Sequence, residues 1–362
     1  GVAPDHQGTK AVTKQFARLF ERDGVVFCGN VEVGRDVTLN ALQELFDVVV
    51  LATGLSKDRS LGSAFDEVDQ LYGAGAVTRR WNGHPDAQKL RPNFGRTTII
   101  VGNGNVAIDI ARLLAKGPEG FAGSDISSPS LGDRVKNIAL VGRSPAQSAK
   151  FDVAMVRELG KIPGLDCKVA QALPDAEASP VLTALRALAH ETNGAQKTLS
   201  FHFECNPLRP IVEAGMLVGV VFDHNGVEHN LPCDSVISAI GFEDNDPASR
   251  DALLAGAIDL EQGHLRAGLY ATGWFRRGPQ GTIAQNRTDA KTVAARVASD
   301  LEKASDRPER EGYSALQKSV GHFMTTYADW QAIDAAEQAH APDNRIRKKF
   351  TNVPEMLEHR AQ

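Results

Sequence analysis

The chain has 362 residues, enough for two domains of about 150 residues each, and 42% hydrophobic content supplies a core for both. Its 40 basic and 45 acidic residues leave a net charge of −5 and a pI near 6.1, so no general basic field gathers nucleic acid, and any charge-steered partner must use a local patch. Mean hydropathy is −0.25, and the apolar runs are short and β-branched, as in Val48-Val49-Val50-Leu51, far below the roughly 18 residues that a membrane span needs. Cys28, Cys167, Cys205 and Cys233 stand singly, without a C-x-x-C pair or a zinc-ligand spacing. They read as buried thiols in a reducing compartment, the cytoplasm, and no metal site is expected. The start at Gly1 lacks the charged and apolar regions of a cleaved signal and reads as the middle of a longer protein.

In chain order, β-rich segments punctuated by glycine alternate with helical ones, the rhythm of an α/β fold. Val12, Phe16, Leu19 and Phe20 recur at helical spacing and predict a helix over 9–21, with a strand over 25–33 behind it. A strand over 47–51 runs into Ala52-Thr53-Gly54. The polar stretch 59–90, with Gly73, Gly75 and Gly83, is expected to be a crossing into a new domain. The buried-strand pattern of 96–101 enters the turn Gly102-Asn103-Gly104-Asn105-Val106-Ala107, which Ile108, Ala111, Leu114 and Ala115 continue as a helix to 116. Beyond the Gly/Ser/Pro-rich loop 117–132, strands are predicted over 136–141, 199–203, 216–222 and 235–240. A strand over 269–272 leads into a Gly-Trp-Phe-Arg-Arg-Gly-Pro-Gln-Gly segment from Gly273 and then a helix over 289–303. The charged tail after Arg307 is expected to be helical, with a basic run at Arg345, Arg347, Lys348 and Lys349.

Gly102, Gly104 and Ala107 form a Gly-x-Gly-x-x-Ala pattern between a predicted strand and a predicted helix, the setting in which that weak motif has mechanical meaning. Gly102 permits the tight turn, Gly104 lets backbone approach a pyrophosphate, and Ala107 lets the helix pack closely, while the helix N-terminus favours the anion. A purely structural β-α turn is the alternative. The next strand ends in Gly142-Arg143-Ser144, where an arginine selects the 2′-phosphate of NADP over the ribose hydroxyl of NAD; a surface salt bridge is the competing role for Arg143. Two Ala-Thr-Gly strand ends, at Ala52 and Ala271, suit close passage beside a second dinucleotide, such as a flavin.

These residues resemble the NADPH-ferredoxin reductases of the adrenodoxin reductase type, within the glutathione-reductase-like flavoproteins, nearly end to end. The resemblance rests on Gly1-Val2-Ala3-Pro4-Asp5-His6, on Phe27-Cys28-Gly29-Asn30-Val31-Glu32-Val33-Gly34, on the run from Val101 to Asp109, on the segment Gly273 to Gly281, and on Asp329-Trp330 with Ile333, Asp334 and Glu337. It implies an enzyme that binds FAD and NADP(H) and passes hydride from NADPH to the flavin and then single electrons to an iron–sulfur ferredoxin. It also implies site residues: His6 and Glu158 as the catalytic pair; Val31, Trp274, Gly281, Thr282 and Ile283 at the flavin; Arg59, Asn103, Gly104, Asn105, Val106, Arg143 and Gly281 at NADP. For His6 a structural role, for Glu158 a solvated helix charge, for Trp274 plain core and for Arg59 a linker charge are the alternatives.

The implied fold class is α/β, with two Rossmann-like dinucleotide-binding domains. An NADP domain over 58–239 is inserted in a discontinuous FAD domain over 1–57 and 240–362, which ends in a helical extension. The FAD domain is expected to be amino-terminally incomplete, because the family's flavin-binding Gly-x-Gly-x-x-Gly unit precedes the Gly-Val-Ala-Pro-Asp-His segment at which this sequence starts; a naturally short chain would leave a sheet edge and apolar surface uncovered. The family often carries an arginine pair in a Gly-Arg-Arg-Gly-Pro turn, whereas this chain has Arg143 alone in Gly142-Arg143-Ser144-Pro145; losing one of two such partners costs on the order of 1.5–3 kcal/mol. An acidic ferredoxin is the expected partner, docking on local basic groups among Arg79, Arg80, Arg276, Arg277 and the 345–349 run. A disulfide reductase is excluded by the lack of paired cysteines. A glutamate-synthase-type flavoprotein subunit, or a non-catalytic NADP-binding module, stays open as an alternative.

Overall fold

The computed structural model describes residues 3–22, 24–174, 179–189, 195–303, 309–321 and 324–361. They fall into two compact units, one of Gly1–Val12, Asp58–Gly241 and Ala335–Glu358, the other of Thr13–Lys57, Phe242–Asp334 and His359–Gln362. The terminal stretches thus join the unit built on Asp58–Gly241, apart from the expected grouping of 1–57 with 240–362. Buried charge explains this: Asp5 pairs with Arg112 and Lys116, while Lys10 and Lys349 both pair with Asp125. Ala3 lies in the same core.

The first unit is a six-stranded, wholly parallel sheet in the order Leu71–Gly73, Ser235–Ser238, Thr97–Val101, Asn137–Val141, Lys197–His202, Leu165–Val169. The middle strands are β-branched and buried on both faces, as parallel strands covered on both sides must be. On one face the helices Asn105–Ala115, Val153–Leu159 and Pro180–Leu188 bury Ile108, Leu114, Leu159 and Leu185 against Ile100 and Leu140. Each such side chain contributes roughly 2 kcal/mol. On the other face an antiparallel meander of Cys205–Glu213, Met216–His224 and Val227–Pro232 packs Val220 and Phe222 against Ile99 and Val141. Both its hairpins turn through two residues at positive φ, Ala214-Gly215 and Asn225-Gly226, the backbone that matches the twist of paired strands.

The stretch 59–90 is no mere crossing. It supplies the edge strand Leu71–Gly73 and the helix Ala74–Trp81, whose Val77 and Trp81 are wholly buried; its polar composition belongs to the loops around them.

In the second unit Val49–Leu51 pairs in parallel with Leu269–Ala271, which pairs with His264–Arg266. Leu265, Leu269, Ala271 and Phe275 form its core, with Leu39 from the Thr38-capped helix Leu39–Leu45 packed against them. Val293 of the helix Ile283–Lys303 is also buried. Among the described residues Val49–Leu51 is paired on one edge only, and Val50 is 43% exposed.

Several local expectations change. The helix read over 9–21 is two pieces, Gln7–Lys10 and Thr13–Phe20, with no residue of either fully buried and Phe16 half-exposed. No strand forms over 25–33: Gly29 makes an isolated bridge to Thr325, and Asn30 takes a left-handed φ that breaks an extended run. The charged tail is helical over Gly312–Val320, Tyr327–Ala339 and Val353–Glu358, with its basic run in irregular chain; Arg307 lies outside the described residues. The cysteines are unpaired, but Cys28 is only half-buried. No described helix is long and apolar enough to cross a membrane.

Candidate functional site

The strand Thr97–Val101 has Asn137–Val141 on one side and Ser235–Ser238 on the other, so the chain leaves it in one direction and returns beside it late. Doubly wound sheets take ligands at the carboxyl ends of strands at such a point. Here the ends are tied together: the Gly102 N–H donates to the Val141 carbonyl at 2.8 Å, and the Ala239 N–H to the Val101 carbonyl at 2.8 Å. Gly102 has φ +146°, and any Cβ there would run into the Ala239 carbonyl, so this turn requires glycine.

Gly104 caps the helix Asn105–Ala115 in extended conformation, and a Cβ built on it meets nothing within 4 Å. The protein's own packing does not demand glycine there; an open space beside a helix N-terminus does. Ala107 is fully buried where the helix meets the sheet, and Val106 packs against the same core.

A cavity of about 380 Å3 opens at these strand ends, with Gly102, Asn103, Gly142, Arg143, Lys150 and Asn206 in its wall. Arg59 also lines it. The Asn103 amide is buried with neither its oxygen nor its nitrogen hydrogen-bonded, and it occupies the space that a Cβ at Gly142 would need. A buried unsatisfied amide is costly and indicates a missing partner. Beside it, the Asn103 carbonyl accepts from the Lys150 N–H at 2.9 Å, and Asn105 Oδ1 accepts from the Asp152 N–H at 2.6 Å. The loop after Arg143 is thereby fixed to the glycine turn.

In the same unit, His6 stands between two carboxylates, its Nδ1 3.8 Å from Asp109 and its Nε2 3.8 Å from Glu158. The two residues expected to act together are thus neighbours, and Asp109 is a third member that the sequence reading did not single out. Asp109 and Arg112 lie one helical turn apart and bond at 2.8 Å. Burial pushes the Asp109 carboxyl above its ordinary range, against the pull of Arg112 and His6. The signal available in the sequence was Asn105, Asp109 and Arg112 at helical spacing on the helix opened by the glycine turn.

The second unit places Trp274 on the short helix Gly273–Arg277, stacked on Phe242 at 5.7 Å with its Nε1 buried and unbonded. Asp289 holds this segment: it accepts from the Gly273 N–H at 2.5 Å and the Thr272 hydroxyl at 2.8 Å, and it pairs with Arg276 and Arg277. Burial works against its charge, but these donors hold the Asp289 carboxyl below the usual range. Gly281 has φ +95°, and Thr282, whose N–H donates to Gln285 at 2.7 Å, precedes the exposed Ile283 at the start of a helix of 21 residues. Val31 is half-buried in the loop after Asn30.

No family model matches the chain. It is 41% identical to the cindoxin reductase of Citrobacter braakii, over 99% of this chain and 81% of that protein. It is also 31% identical to human mitochondrial NADPH:adrenodoxin oxidoreductase, over 99% of this chain and 83% of that one. The fold agrees with the solved structure of Mycobacterium tuberculosis FprA in complex with NADPH: TM-score 0.90, 26% identity, 99% of this chain and 88% of the other. The chain belongs to the NADPH-ferredoxin reductases of the adrenodoxin reductase type.

In this reductase the basic groups considered for docking serve internal contacts to a large extent. Arg276 and Arg277 pair with Asp289, Arg347 with Glu337, Lys349 with Asp125, and Arg80 bonds the Gln88 amide. Lys150 and Asn206 of the cavity wall also escaped the sequence reading. Lys150 sits outside the glycine turn in sequence and reaches it only through the loop's hydrogen bond to Asn103.

Proposed function

We infer that this protein is an NADPH-dependent flavoprotein reductase that delivers electrons to an iron–sulfur ferredoxin. The observation that carries the reading is the cavity at the sheet's switch point, with its orphaned Asn103 amide and its arginine beyond the next strand end, together with the open space at Gly104, in a chain belonging to the ferredoxin reductase family.

NADP(H) fits the first unit: the N-terminus of the helix Asn105–Ala115 and the Gly104 backbone take the pyrophosphate, the Asn103 amide gains a partner, and Arg143 meets the 2′-phosphate. Arg59, Asn105 and Val106 complete the NADP side. FAD fits the second, where the unbonded Trp274 Nε1 and the backbone of Gly281, Thr282 and Ile283 offer donors beside a flat indole, with Val31 as a further contact. Bound FAD supplies the ring that takes a hydride from NADPH and releases electrons singly to the acceptor. His6, held between Asp109 and Glu158, keeps a proton-bearing group in a defined position, and Glu158 orients it. The acceptor is an acidic iron–sulfur protein steered by local positive charge, and the unpaired cysteines fit a cytoplasmic protein.

The test is to supply FAD to the purified protein and follow the flavin spectrum anaerobically as NADPH or NADH is added, then add an oxidised ferredoxin. Bleaching by NADPH with recovery on ferredoxin addition is the expected result. Bleaching without transfer to a ferredoxin overturns the acceptor, and failure to bind either nucleotide overturns the reading altogether.

A further inference from the structure

Among the described residues, the wall of the cavity carries three cationic side chains, Arg59, Arg143 and Lys150, and no carboxylate. An adenosine site built for an unphosphorylated ribose places an acidic group where the 2′-hydroxyl can donate to it; this one offers only positive charge. Arg143 and Lys150 are both exposed, and neither charged group has an ion-pair or hydrogen-bond partner among the described residues. Two cations lining one concave site, with no neutralising partner among the described residues, describe a receptor for a multiply charged anion.

The two differ in how they are held. Arg143 stands two residues beyond the strand Asn137–Val141, at the carboxyl end where the ribose of a dinucleotide lies in such a sheet. Lys150 comes back to the same wall seven positions later because its N–H is bonded to the Asn103 carbonyl at 2.9 Å, which anchors its Cα while the flexible stem leaves the ammonium free to reach. The pyrophosphate is already served by the helix N-terminus at Gly104. The charge left for Lys150 is the one beside Arg143.

We propose that Lys150 is a specificity-determining residue that, together with Arg143, holds the 2′-phosphate of NADP(H). It takes the place of a second arginine at the strand end, where this chain has Ser144. The proposal rests on the NADP(H) reading of the cavity. It adds a residue far enough along the loop that spacing alone does not connect it with the phosphate.

The experiment measures binding by calorimetry on the full chain, with adenosine 2′,5′-bisphosphate and adenosine 5′-monophosphate as probes, so that neither flavin nor turnover is needed. The parent protein is expected to prefer the bisphosphate. Lys150→Gln should weaken the bisphosphate about tenfold and leave the monophosphate within about twofold. Lys150→Arg should restore most of the loss, and Arg143→Gln with Lys150→Gln should abolish the preference. An equal loss for both probes would place Lys150 on the 5′-phosphate side and overturn the proposal, as would no loss for either. A parent protein that binds the two probes equally overturns the NADP(H) reading itself, and the assignment of Lys150 with it.

Discussion

The Lys349 ammonium lies 3.1 Å from Asp125 Oδ2, and the same carboxylate takes Lys10 on its other oxygen at 2.7 Å. Residues far apart in the chain are thus joined through one buried acid, and two cations share one anion. Burial, and then the charge of Lys10, push Lys349 down to about 8 from an ordinary 10.5, against the pull of Asp125.

The sign of the pH effect follows. Below about 8 Lys349 is charged in both folded and unfolded chains, and the folded state carries the full penalty. Between about 8 and 10.5 the unfolded chain binds more protons, so this group makes stability rise with pH. Lys349→Met leaves Lys10 and Asp125 as a neutral pair; it should stay within about 1 kcal/mol of the parent at pH 7 and lose the alkaline rise. Urea midpoints from pH 7 to 10 measure it, and parallel curves for the two proteins contradict it.

Asp5→Ala should destabilise by about 3 kcal/mol, because it leaves the Arg112 guanidinium, 3% exposed, with Asp109 as its remaining ion pair. Burial opposes the charge of Asp5, but Arg112 and Lys116 hold its carboxyl below the ordinary 3.8. Its contribution is therefore complete above that value and fades as pH falls through the lower folded one. In acid titrations of stability the parent and the variant should converge; a constant gap would show that packing, not charge, is lost.

Gly104→Ser separates folding from binding. A serine suits a helix N-cap, and a Cβ there meets no protein atom, so thermal stability should be unchanged or slightly raised. The same atoms occupy the open space beside the helix N-terminus, and NADPH affinity should fall about tenfold or more. A variant that binds NADPH as the parent does would remove the pyrophosphate from this turn.

Glu158→Gln removes a charge from a half-exposed side chain and keeps its shape. Binding of NADPH is expected to stay within about twofold, while flavin reduction in stopped flow slows about tenfold, because His6 loses its charged contact to Glu158 and keeps the one to Asp109. An unaltered rate would leave Glu158 a surface charge.

The continuous buried-strand pattern of Thr97–Val101, the glycine turn and the following helix were legible because the constraints are local: β-branched burial, a positive φ at Gly102 and small-residue packing at Ala107. The same holds for the position of Arg143, two residues past a strand end. Where contacts are distant the reading failed. Leu71–Gly73 and Ala74–Trp81 were hidden in a stretch whose average composition is polar, and the strand expected over 25–33 is forbidden by Asn30 and drawn to Thr325 instead.

Sequence by itself determined the α/β class, the glycine turn between strand and helix, and the family, since each depends on residue type at fixed short spacing. Only the tertiary structure decided that His6 stands between Asp109 and Glu158, that Lys150 returns to the cavity of Arg143, and that Asp125 gathers Lys10 and Lys349. The first and last are encounters between charges far apart in the chain, and the second depends on a loop folding back through its backbone bond to Asn103. Their energies depend on burial and distance, which no local spacing specifies.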